Sequence, residues 1–199
     1  MNSEGWSQPT VIDETRRRLL DASVELLIGR DGLGALTQSG AEKAAGIAPG
    51  YVTETFSDET DWLLAIMERL FEIRTEQYVT ALEPIPLEQR NLAQMIDALW
   101  GFFAGPTWVA WLELFLHLRG NPDTRESVIQ MTTAFDRQIG PMLSDFLSAE
   151  EPASKSRIAL AMMTLDGMAL ASVVTTGMFD YGAILAALKQ VIGVQSQPQ

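Results

Sequence analysis

Helical periodicity constrains this chain more than any other feature. Apolar residues recur at three- and four-residue spacing throughout, and no run of alternating β-branched residues is long enough for a strand. The implied fold class is all-α. Proline, glycine and capping residues cut the pattern into segments. Asp13 stands where it can cap a first helix that carries Leu19, Leu20, Ser23, Leu26 and Leu27 on one face and ends near Arg30, with Asp31-Gly32 as the stop. Thr37 is the expected N-cap of a short second helix through Ala45, closed by Gly46. Pro49 suits the first turn of a third helix over 50–56, and Ser57 or Asp58 caps a long fourth helix. That helix shows Trp62, Ala65, Ile66, Arg69, Leu70 and Ile73 on its inward pattern and reaches about Leu82, before Pro84 and Pro86. Five more helices are predicted at about 87–103, 107–119, 123–147, 153–177 and 181–193, separated by Gly105-Pro106, Gly120-Asn121-Pro122, Glu151-Pro152 and Gly177. The 153–177 segment is apolar nearly all round, so it should be buried on several sides, by its own domain and by a second copy of the chain.

A length of 199 residues accommodates one fair-sized core and a small satellite domain. The absence of cysteine excludes disulfides, thiolate metal sites and cysteine nucleophiles. No Gly-rich phosphate loop, spaced metal-ligand set or Gly-x-Ser-x-Gly turn is present, so no catalytic residue, metal or cofactor is expected. The polar start, Met1 to Thr10, lacks the pattern of a signal peptide, and no uninterrupted apolar run reaches the roughly 20 residues that a bilayer needs. A cytoplasmic location is the expectation, with no membrane partner.

Residues 37–56 form one unit: short helix, glycine turn, short helix. Small residues Ala44, Ala45 and Gly46 let the two helices cross closely, while Ile47, Val52 and Phe56 give the second an inward face. Together with the helix before it and Asp61-Trp62-Leu63-Leu64 after it, this unit of about 55 residues resembles the N-terminal domain of TetR-family regulators. Trp111-Leu112-Glu113-Leu114-Phe115, Asn121-Pro122-Asp123 and Leu165-Asp166-Gly167 are similar to features of that family's C-terminal domains. The resemblance implies a helix-turn-helix domain at 1–57 and a ligand-binding and dimerisation domain at 58–199. It also implies a homodimer through the last two helices. On this reading the DNA-binding candidates are Arg16, Arg17, Thr37, Gln38, Ser39, Pro49, Gly50, Tyr51, Thr53 and Thr55.

Charge argues the other way. The chain carries a formal charge of −12, and residues 1–60 hold ten acids against five bases, a net −5 on the part that should face DNA. Glu54 and Glu59 stand where the family commonly has phosphate-contacting groups, and a carboxylate there repels the backbone. Ala41 and Glu42 occupy interior positions where the family has a larger aliphatic and an alanine, which predicts loose packing.

Trp100, Phe102, Phe103, Trp108, Trp111 and Phe115 place six aromatics within sixteen residues. With Met131, Phe135, Met142, Met163 and Met168 they could wall an apolar cavity. Glu113 and His117 share a helical face and could orient a ligand. The ligand-site candidates are therefore Trp100, Phe103, Trp108, Trp111, Phe115, Glu113, His117, Met131, Phe135 and Met168. Asp166 is either a buried structural partner or a pocket anion. Two functions stay open: a regulator of the repressor kind, released by a small apolar or aromatic ligand, and a protein of the same fold that has lost operator DNA and acts through its pocket as a ligand-binding, partner-binding or repurposed catalytic protein.

Overall fold

A computed structural model describes residues 11–29, 31–147, 154–175 and 177–193. Among these residues there are nine α-helices and no strand: α1 (Val11–Ile28), α2 (Gln38–Ala45), α3 (Tyr51–Thr55), α4 (Glu59–Leu82), α5 (Leu92–Phe103), α6 (Pro106–Arg119), α7 (Pro122–Ser144), α8 (Ser154–Val174) and α9 (Tyr181–Gly193). Single 3-10 turns occupy Gly32–Ala35 and Leu87–Gln89.

Local chemistry sets the helix boundaries. The Thr37 hydroxyl accepts from Gly40 N at 3.1 Å, and Gly46 closes α2 at φ 63°, a left-handed conformation that a side chain would disfavour. Asp58 Oδ1 accepts from Asp61 N while Asp61 Oδ2 accepts from Ser57 N, so the start of α4 is capped from both directions. Several boundaries differ from the sequence reading, among them the ends of α7 at Ser144 and of α8 at Val174, each three residues early. The first helix is already formed at Val11, so Asp13 lies within it and is not its N-cap. Pro49 lies in the turn before α3, whose N-cap is Gly50. The fifth helix starts only at Leu92, because the Asn91 side chain accepts from Gln94 N and caps it there. The expected stop at Arg30 and the Glu151-Pro152 break lie outside the described residues.

Helix α4 is the axis of the molecule. Trp62, Ile66, Leu70, Arg74, Tyr78 and Leu82, one every four residues, are all buried. Each of the aliphatic members stabilises the fold by about 1.5–3 kcal/mol through burial alone. Around α4 pack α1, α5, α6 and α7, and α8 and α9 close the far side against α5. Arg69 ties α4 to α1 through Asp21 at 2.7 Å and is backed by Glu72 at 2.8 Å.

Within one chain α8 is not buried on all sides. Leu160, Met163, Leu170 and Val174 are exposed, and with Gly167 they follow a 3-4-3-4 spacing down one stripe. Ser156–Val174 is long and apolar enough to cross a bilayer by length and composition, yet Asp166 sits at its middle and is bonded to Trp108.

Candidate functional site

The helix-turn-helix is well packed despite its unusual residues. Ala41 is fully buried. Glu42, also buried, points its carboxylate at the start of α3, where Oε1 accepts from Gly50 N at 3.0 Å and from Val52 N at 2.9 Å. The glutamate acts as an internal cap, so the loose packing expected from Ala41 and Glu42 does not occur.

The candidate DNA-contacting residues divide between surface and interior. Ser39, Pro49 and Thr53 are exposed, Gln38, Gly50 and Thr55 half-buried. Thr37 is engaged as a cap, and the Thr53 hydroxyl donates to Gly50 O at 2.8 Å. The Tyr51 ring is half-buried and its hydroxyl lies inside without a hydrogen-bond partner. On α1, Arg16 stacks over the Phe56 ring at 5.4 Å, while Arg17 shares a surface depression with Glu68 and Glu72 of α4. Glu54 and Glu59 are exposed on the head, where the sequence placed its charge conflict.

The C-terminal part holds a cavity of about 590 Å³ between α4, α5, α6, α7 and α8. Of the ten ligand-site candidates, Phe103, Trp111 and Phe135 line it together. Trp108 is buried behind it and donates Nε1 to Asp166 Oδ1 at 3.0 Å; Met168 is buried in the core. Trp100 packs on Tyr181, and Phe115 stacks on Trp111 at 5.0 Å on the side of a separate apolar groove. Met131 faces a depression shared with Arg17, and His117 is exposed.

Glu113 turns away from the cavity altogether. Its Oε2 accepts from Leu33 N at 3.0 Å, and the carboxylate lies against Gly32, which holds φ +51° and has no room for a Cβ. One turn of α6 thus presents Trp111 to the cavity and Glu113 to the helix-turn-helix side.

Arg74 and Tyr78 are the cavity residues that the sequence reading missed. Arg74 Cζ lies 4.1 Å from the Trp111 ring centre, 5.0 Å from Phe135 and 5.6 Å from Phe102. Burial pushes its pKa below the ordinary value for arginine, and burial raises those of Tyr78 and Asp166. Arg74 and Tyr78 interact with each other, but Arg74 Nε, Tyr78 Oη and Trp111 Nε1 are buried without a hydrogen bond of good geometry. The signal was in the sequence: the four-residue row Trp62, Ile66, Leu70, Arg74, Tyr78, Leu82 has a charge in the middle of its apolar positions.

The architecture defines a class: a small helix-turn-helix head on a helical body that holds a cavity. Among solved structures, that fold is the one of TetR-family regulators. The multidrug binding protein EbrR complexed with ethidium superposes with a TM-score of 0.65 at 17% identity, covering 89% of this chain and 98% of that one. A TetR-family member from Streptomyces coelicolor A3 gives 0.61 at 22% identity over 91% and 99%. The transcriptional regulator FadR from Bacillus subtilis in complex with stearoyl-CoA gives 0.60 at 18% identity over 90% and 99%. No protein-family model and no curated protein matches the chain by sequence.

Proposed function

We propose that this protein is a cytoplasmic, one-component transcriptional regulator, non-enzymatic, acting as a repressor that a small molecule in the α4–α8 cavity releases from operator DNA. Residues 1–57 are the reading head and 58–199 the regulatory and dimerising body. The carrying observation is α6, which touches the cavity through Trp111 and the head through the Glu113–Leu33 bond. A ligand that favours one position of α6 then favours one position of the head, and coupling through such a shared element is a population shift. The exposed stripe on α8 supports a homodimer, since a soluble surface rarely leaves such a row of apolar side chains uncovered. Two heads on one dimer fit a pseudo-palindromic operator.

A titration against DNA from upstream of the protein's own gene tests this at low and at moderate salt. Saturable binding to one fragment, resistant to competitor DNA, is the expected outcome. No binding at low salt favours the rival reading, a pocket protein without an operator, for which the exposed Glu54 and Glu59 are the supporting observation. Replacing both by lysine should raise non-specific affinity and steepen its log-log salt slope by about two, one per added phosphate contact. An unchanged slope would place these residues away from DNA.

A further inference from the structure

We propose that the cavity ligand is an organic carboxylate: one carboxylate group on a flat apolar body, its oxygens held by the edge of Arg74 and by the Tyr78 and Trp111 donors. This rests on the reading of the cavity as the effector site and names the effector's chemical class.

The argument starts from a contrast within α4. Arg69 and Arg74 are both buried, but Arg69 is matched by Asp21 and Glu72. Arg74 has no ion pair within 4 Å among the described residues; ring faces lie nearest its charge, while Tyr78, Asp166 and Asp136 favour it electrostatically without offsetting its burial. Rings hold the flat sides of the guanidinium, and its Nε–H, one of the in-plane donors that form paired bonds to a carboxylate, has no acceptor. A buried cation in that state is costly to keep. Tyr78 Oη and Trp111 Nε1 add two more unmatched donors on the same cavity wall. A donor-rich site calls for an acceptor-rich, anionic group.

Two carboxylates also belong to the wall. Asp166 is already engaged by Trp108 Nε1, and Asp136 is exposed on α7. Neither forms an ion pair with Arg74. The rest of the wall, including Phe71, Phe103, Ile139 and Leu143, is apolar, and the volume suits a ligand of drug-like size.

The test is calorimetric titration of the full-length protein, without DNA, with three probes of one shape: naphthoate, naphthalenemethanol and naphthylmethylamine. Naphthoate should bind at least about tenfold tighter than the alcohol, roughly 1.4 kcal/mol. Arg74→Met should abolish that preference, bringing naphthoate and the alcohol to within about threefold of each other. Trp111→Phe keeps an aromatic face but loses the N–H with part of the indole, so it should weaken naphthoate more than the alcohol and serves if the arginine variant does not fold. Equal or tighter binding of the alcohol or the amine, failure of all three to bind, or a preference that survives Arg74→Met overturns the assignment. Because no DNA is present, failure here leaves operator binding standing, and failure of operator binding leaves the carboxylate site standing.

Discussion

Glu42 in the helix-turn-helix and Arg74 in the body are buried to the same depth, each 5% exposed, yet their surroundings are opposite. The Glu42 carboxylate accepts from two backbone N–H groups that would otherwise be orphans at the start of α3. Arg74 sits among rings, with its Nε unmatched and two unmatched neighbours beside it. At Glu42 the buried charge is therefore matched by the protein's own backbone, whereas at Arg74 the guanidinium keeps an Nε–H that no protein acceptor takes up. Buried charge serves the architecture in the first case and marks a binding function in the second.

That contrast can be broken by experiment. Glu42→Ala removes both caps and leaves two N–H groups buried, so it should destabilise the protein by about 3 kcal/mol in chemical denaturation. A loss under 1 kcal/mol would show that water replaces the carboxylate. Next in size is Gly32→Ala, which combines a left-handed backbone with a Cβ placed 2.3 Å from Glu113 Oε2. It should cost about 2 kcal/mol, falling to about 1 kcal/mol in a Glu113→Ala background, where only the backbone strain remains. Additive effects in that cycle would deny the contact between α6 and the head. The smallest change is expected at the most conspicuous charge: Arg74→Met should leave stability unaltered or raise it by about 1 kcal/mol, since no partner is orphaned. A loss above 2 kcal/mol would mean that Arg74 is satisfied in the free protein, which removes the basis of the contrast.

Much of the fold was legible because helix boundaries are written in local chemistry. Thr37, Gly46 and Asp58 do in the structure what short-range capping predicts, since each acts on backbone groups within four residues. The cavity was legible only in part. Phe103, Trp111 and Phe135 line it, but Trp108, Met168 and Trp100 have the same composition and are taken up by packing. Aromatic content does not tell a wall that faces space from one that faces another side chain.

By itself the sequence determined the all-helical class, the order of the helices, the helix-turn-helix unit and the acidic balance of its surface, because periodicity, caps and charge are properties of neighbours along the chain. The tertiary structure alone decided that Glu42 caps α3, that Glu113 grips the Gly32–Leu33 turn instead of a ligand, and that Arg74, Tyr78 and Trp111 share one cavity. Those are facts about which donors find acceptors, and which do not, among residues 8, 80 and up to 37 apart in the chain, and a hydrogen bond is settled by geometry in space, not by spacing in the chain.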